Sequence, residues 1–152
     1  MTITFVCTGN ASRSAVAEVI LKSLLDNRGV EDVFINSCGT SVPEGLEREQ
    51  TMCRIAAEHG YRLGGAAVPA TRKILEEADL IIVMTAQHRE QVCAMLARTE
   101  CDKIHIFNEF CFGETSDLPD PHYQTEYVYR TCFARIEEGC KALAERIIQS
   151  PR

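Results

Sequence analysis

The sequence predicts an α/β fold, with parallel strands joined by helical crossovers. Short apolar runs of strand length alternate with stretches of helical periodicity along the chain. No segment repeats, none is of low complexity, and none reads as a linker. Strands alternating with helices close into a sheet through right-handed crossovers, and such sheets take their ligands at the carboxyl ends of the strands. The length of 152 residues suffices to bury a substantial core, and residues 1–152 read as one domain.

Each element has its own signal. "TITFVC" (2–7) is a first strand. Residues 14–27 place Val16, Val19, Ile20, Leu24 and Leu25 at helical spacing, and Gly29 stands where a C-terminal cap belongs. "DVFINS" (32–37) reads as the second strand. Residues 46–59 read as a helix with Met52, Ile55 and Ala56 on one face. "PATRKILEEA" (69–78) reads as a short helix opened by proline. "DLIIVM" (79–84) is a continuous apolar strand of the fully buried kind. Residues 86–98 read as a helix and "KIHIF" (103–107) as a fourth strand. The last helix spans about 124–149, with Phe133, Ile136, Cys140, Leu143 and Ile147 three or four residues apart.

Composition excludes several classes. The chain is 45% hydrophobic and 25% charged, as ordinary globular proteins are. Its net charge of −6 argues against a nucleic-acid partner. No apolar run approaches the roughly 18 residues of a membrane span, and "MTITFV" lacks the features of a secretory leader. The eight cysteines (7, 38, 53, 93, 101, 111, 132 and 140) include no C-x2-C pair. The expectation is a cytoplasmic protein with reduced thiols, most of them packed as small hydrophobes.

The informative stretch is "VCTGNASRS" (6–14), at the carboxyl end of the first strand and the start of the first helix. A helix N-terminus presents unpaired N–H groups and a positive dipole end, so it attracts anions. Gly9 permits a backbone turn that aims several amides at one centre. Arg13 adds a planar two-pronged donor suited to phosphate oxygens. The same field stabilises negative charge on the sulfur of Cys7. A thiolate in an oxyanion cradle is a nucleophile aimed at a tetrahedral anion, which points to phosphoryl transfer onto sulfur. A second Cys-x5-Arg occurs at Cys140 and Arg146, in "CKALAER". It lies inside a helix without glycine and reads as a core thiol and a surface guanidinium. The nucleotide-binding pattern G-x4-G-K-[ST] is absent.

"VCTGNASRS", together with "DLPDPHY" (117–123) before the last helix, resembles the low-molecular-weight protein tyrosine phosphatase family. That family's loop reads C-x-G-N-x-C-R-S, usually followed by proline, and its acid motif is D-P followed by aromatics. The resemblance covers essentially the whole chain. It implies a four-stranded parallel twisted sheet with helices on both faces and a phosphate-binding loop after the first strand. It also implies Cys7 as nucleophile, Arg13 as phosphate clamp and Asp120 as general acid and base. Thr8, Gly9, Asn10, Ala11, Ser12 and Ser14 would bind substrate phosphate, with Ser14 bonding the thiolate and Asn10 holding the loop's shape. The implied substrate is a phosphotyrosyl protein or small aryl phosphate, with no metal or other cofactor. Asp120 also follows from chemistry, because a leaving alkoxide or phenoxide needs a proton. Asp117 is the rival carboxylate, without the D-P-x-aromatic context.

The chain departs from the family pattern at several positions. Ser12 replaces the second loop cysteine, which can shield the nucleophile from over-oxidation. Ala11 stands where tyrosine phosphatases often carry a large aliphatic residue and bacterial arginine phosphatases a threonine, and Ala15 replaces the proline. "GGAAVPAT" (64–71) lacks the basic or histidine-containing character found in many relatives. His122 is the first aromatic of the acid motif, with Tyr123 behind it, and both are expected near the substrate. His59, His88 and His105 show no partner pattern and read as surface or structural residues. Arginine-phosphate hydrolysis on the same scaffold remains open. So do thiol-dependent arsenate reduction, disfavoured by Thr85 where a cysteine is expected, and noncatalytic phosphate binding.

Overall fold

The computed structural model describes residues 1–151; Arg152, the last residue of the expected domain, lies outside them. Strand β1 (Thr2–Cys7) leads into α1 (Arg13–Asn27), β2 (Phe34–Gly39), α2 (Gln50–Glu58) and α3 (Arg72–Glu77). Then come β3 (Leu80–Val83), α4 (Ala86–Met95), a 3₁₀ turn (Arg98–Lys103), β4 (Ile104–Ile106), α5 (Phe107–Phe112) and the long α6 (Glu126–Gln149). The four strands form one parallel sheet in the order β2-β1-β3-β4. The order reverses between β1 and β3, and the carboxyl ends of those two strands form the crevice in which such sheets bind ligands.

Period-two alternation along β1 builds two cores. Ile3, Phe5 and Cys7 face α1, α2, α5 and α6, where Ile20, Met52, Phe107 and Phe133 are fully or almost fully buried. Val6 faces the other way, with Cys38, Leu75 of α3 and Val92 of α4. Both faces are covered, so β1 and β3 have apolar residues on each side. Burying each large side chain stabilises the fold by roughly 1.5–3 kcal/mol.

Several boundaries shift from the sequence expectation for identifiable reasons. The expected helix from 46 begins at Gln50. Gly45 takes a left-handed φ of 77°, Glu47 bridges Ala66, and the Glu49 amide donates to the Ala11 carbonyl. The expected helix from 69 begins at Arg72, because Thr71 caps it by accepting from the Ile74 amide and Pro69 is drawn into a bridge with Gly39. Helix α4 stops at Met95, short of the expected 98. Helix α5 was not anticipated; it is a single short stretch closed by Gly113 at φ 70°. The expectation of uniformly reduced thiols is corrected as well. Cys93 and Cys101 form a disulfide, because the end of α4 and the 3₁₀ turn bring their Cα atoms to 5.3 Å. Among the described residues, no helix is long and apolar enough to cross a membrane.

Candidate active site

Strand β1 ends at Cys7 and α1 begins at Arg13, so the intervening loop wraps the crevice where the sheet order reverses. Cys7 Sγ lies 2.9 Å from Ser14 Oγ and accepts from the Asn10 amide at 3.3 Å. Contacts of this kind suit a sulfur nucleophile. Ser12 is the N-cap of α1 but makes no side-chain cap bond; its hydroxyl donates to Glu49 Oε2 at 3.0 Å. No side chain therefore caps the first turn of α1, and its dipole end faces the loop.

The special backbone conformation falls on Asn10, not on Gly9 as the sequence suggested. Asn10 takes φ 54° while Gly9 stays out of the positive region. Left-handed backbone at a non-glycine residue persists only where its surroundings hold it. Here they do. Asn10 Nδ2 donates to Ser14 Oγ and to Ser37 Oγ, at 2.8 and 2.9 Å. Its Oδ1 accepts from Arg48 Nη2 and from the Val68 amide, both at 2.8 Å. Arg48 Nε donates to the Asn10 carbonyl at 2.8 Å and Arg48 Nη1 to the Gly64 carbonyl at 3.0 Å. A single guanidinium thus ties Asn10 to the 64–71 stretch. Gly39 is needed for a different reason: a Cβ there would lie 2.4 Å from the Thr8 carbonyl oxygen and 2.9 Å from the Asn10 nitrogen.

Arg13 is only 3% exposed. Its Nη1 donates to the Leu118 carbonyl at 2.8 Å, and its Nη2 lies 3.6 Å from Asp120 Oδ2. One guanidinium thus spans the loop and the 117–123 segment. That segment is anchored by buried Leu118 and Pro121 and by the Leu118 amide donating to the Met84 carbonyl. The two rival carboxylates part company here. Asp120 lines the pocket, its side chain 48% exposed, and Oδ1 accepts from the His122 amide. Asp117 points elsewhere and accepts from the Ala86 amide at the start of α4, at 2.9 Å.

The resulting pocket holds about 300 Å³. Cys7, Thr8, Gly9, Ala11, Ser12 and Arg13 form its floor, with Asp120 and His122 on one side. Asn10 and Ser14 are fully buried behind the loop and do not line it. Tyr123 is 91% exposed, at φ 61°, and is not among the lining residues; its ring stacks on His122 with centroids 3.8 Å apart. The rest of the lining, which the sequence did not reveal, is Pro43, Leu46, Glu47 and Glu49. Glu49 accepts from the Tyr129 hydroxyl, and its Oε2 lies 3.9 Å from His122 Nδ1. Burial, then the bond to Glu49, pushes the Tyr129 hydroxyl far up, so it stays a proton donor. Among the described residues no cluster of three His, Cys, Asp or Glu side chains could hold a metal ion.

The low molecular weight phosphotyrosine protein phosphatase model matches residues 2–151. The chain is 30% identical over the full length of both proteins to the protein-arginine-phosphatase of Bacillus subtilis. It is 33% identical to a low molecular weight protein-tyrosine-phosphatase of Staphylococcus haemolyticus, covering 90% of this chain and 92% of that one. Among solved structures, a mutant arginine phosphatase with a phosphorylated active-site serine superposes with TM-score 0.92 at 28% identity, over 100% of this chain and 99% of the other. A low molecular weight protein tyrosine phosphatase from Bacillus subtilis gives TM-score 0.88 at 29% identity over the whole of both chains. With its sulfur at the end of β1, its guanidinium opening α1 and a match that runs nearly end to end, the chain belongs to the low molecular weight phosphotyrosine protein phosphatase family.

Proposed function

We propose that residues 1–152 act as one catalytic domain that hydrolyses phosphotyrosine in proteins, or small aryl phosphates, through a cysteinyl-phosphate intermediate. The observation that carries this reading is the placement of Cys7 Sγ between Ser14 Oγ and the Asn10 amide, on the floor of a pocket that Arg13 and Asp120 also line.

In the first step Cys7 Sγ attacks phosphorus, the bond to the leaving oxygen breaks, and that oxygen takes the proton of the Asp120 carboxyl. Arg13 and the loop amides gather the three equatorial oxygens, where charge accumulates in the transition state. In the second step the Asp120 carboxylate takes a proton from water as that water attacks phosphorus. The S–P bond breaks, and the thiolate and inorganic phosphate are released. Ser14 stabilises the sulfur as leaving group. Pro43, Leu46 and the His122 ring offer an apolar slot for a flat aromatic group.

A second reading is favoured by one specific feature. Glu47 and Glu49 put carboxylates on the pocket wall, where they suit a cationic group such as the guanidinium of phosphoarginine. The relative from Bacillus subtilis named protein-arginine-phosphatase supports the same substrate. Steady-state assays on matched phosphotyrosyl and phosphoarginyl peptides separate the two. The expected result is a larger kcat/KM for phosphotyrosine, and the reverse order replaces the first reading by the second.

A further inference from the structure

The first turn of α4 faces the 7–14 loop, and its third residue has no role in the chemistry above. His88 is 3% exposed, and its Nε2 lies 2.8 Å from the hydroxyl of Thr8, a pocket-lining residue. The other ring nitrogen, Nδ1, is buried and has no hydrogen-bond partner among the described residues. Sequence alone marks this histidine as a surface or structural residue.

The unpartnered nitrogen fixes the tautomer. A neutral imidazole has one N–H and one lone pair. With the proton on Nδ1, a buried N–H would go unpaired, and Nε2 would absorb the one hydroxyl proton of Thr8. Proteins rarely leave a buried N–H without a partner, and tolerate a bare acceptor more often. With the proton on Nε2, the ring donates to Thr8 Oγ1, and the Thr8 hydrogen is released toward the pocket. The ring is held neutral chiefly by burial and next by the Arg13 guanidinium, which together push it down to about 4 against the smaller opposing pull of Asp117 and Asp120. The positive end of the α4 dipole acts in the same sense as Arg13.

We propose that His88 is a positioning residue of this site: by donating from Nε2 to Thr8 Oγ1 it turns the Thr8 hydroxyl into a donor toward a bound phosphoryl oxygen. The proposal rests on the loop being a phosphate cradle. The opposite tautomer would present the anion with hydroxyl lone pairs, which repel it. The same helix turn holds the acid segment through the Ala86–Asp117 bond, so α4 aligns both halves of the site from behind.

Three variants and one spectrum test this. His88→Leu and Thr8→Val should each weaken competitive inhibition by inorganic phosphate and lower kcat/KM for p-nitrophenyl phosphate by about 10- to 100-fold, the range of one hydrogen bond to a charged partner. The double variant should be no worse than the poorer single one, because both remove the same bond. His88→Gln, whose amide nitrogen can reach the Nε2 position, should recover most of the loss. In the wild-type protein at pH 7, ¹⁵N NMR should show His88 neutral with Nδ1 unprotonated. The proposal is overturned by losses that multiply in the double variant, or by unchanged phosphate inhibition in His88→Leu. An Nδ1–H tautomer or an imidazolium at pH 7 overturns it too. Should His88→Leu fail to fold, His88→Gln, Thr8→Val and the spectrum still decide. Failure of the phosphatase reading shows differently, as turnover that survives in Cys7→Ser; phosphate affinity measured by ³¹P titration then still reports on His88 and Thr8.

Discussion

The chain contains Cys-x5-Arg twice, and the two copies have almost nothing in common. At Cys7 the backbone turns between a strand and a helix, so the sulfur meets the Asn10 amide and the Ser14 hydroxyl. At Cys140 the backbone is continuous helix, and the sulfur donates to the Ala17 carbonyl in a fully buried environment that drives its thiol far above the ordinary range. Arg13 is enclosed and reaches Leu118 and Asp120. Arg146 instead lies over the Phe110 ring, 4.2 Å from its centroid, and donates to the Phe110 carbonyl. Six residues of separation mean a shared cradle only where the chain leaves its amides unpaired. In a helix interior those amides are spent on the helix itself.

The largest expected effect breaks this comparison or keeps it. Cys7→Ser should bind phosphate and lose turnover by at least about 10⁴-fold, because a serine hydroxyl is not ionised at neutral pH. Cys140→Ser should leave kcat and KM unchanged and cost about 1 kcal/mol of stability, read as a lower Tm. If turnover follows Cys140 and survives at Cys7, the wrong copy has been assigned.

The next effect concerns the partner of the first copy. Asp120→Asn should slow alkyl phosphates and other poor leaving groups by about 10²- to 10⁴-fold and activated aryl phosphates far less, since only the former need a proton in the transition state. Asp117→Asn should change Tm more than selectivity, because its carboxylate accepts from the first amide of α4. Equal losses on both substrate classes for Asp120→Asn count against proton transfer at this residue, and a greater loss at Asp117 moves the assignment.

What the sequence revealed and what it hid divide along contact distance. Loop 7–14 was legible because its strand, turn and helix are contiguous, and the sheet was legible because buried strands are apolar runs. Arg48 and Glu49 were absorbed into an expected helix, since nothing local marks Gly45 as a left-handed turn rather than a break near a helix start. Arg48 meets Asn10 across 38 residues and His88 meets Thr8 across 80, and no short pattern encodes such pairs. The Asn10 conformation was attributed to Gly9 because glycine is the usual bearer of positive φ. Only the ring of hydrogen-bond partners around Asn10 reverses that preference. Gly113 was an available signal for α5, but a six-residue helix offers too little periodicity to find.

Arg48 gives a smaller effect that sharpens the same contrast. Arg48→Met removes two of the bonds that hold Asn10 at φ 54°. We expect kcat/KM to fall about tenfold, with Arg48→Lys in between, as suits hydrogen bonds from a charged group that act on the loop rather than on substrate. A comparable truncation at Arg146 should leave kcat/KM alone. Equal kinetics for the two variants would mean that Ser14, Ser37 and Val68 suffice to hold the loop.

The smallest effect on turnover, and the finest test of what separates Cys7 from the other sulfurs, is recovery after oxidation. Peroxide converts an accessible thiolate to a sulfenic acid, which a neighbouring thiolate can capture as a disulfide. Ser12 cannot do so. Cys38 pairs with Val6 in the sheet register, and both pack on the face opposite Cys7. Its thiol is pushed up to about 12, first by burial and then by Cys7. Cys132 shares the face of Cys7, but burial drives it to about 12 as well, despite the lowering influence of Arg13. Neither is ionised enough near neutral pH to attack. Cys7 should therefore advance to the sulfinic acid, and dithiothreitol should restore little activity. Ser12→Cys should turn over nearly as the parent does and recover far better. Peptide mass spectrometry after mild peroxide supplies the decision: a Cys7–Cys38 or Cys7–Cys132 disulfide with full recovery in the parent protein would show that burial does not silence those thiols.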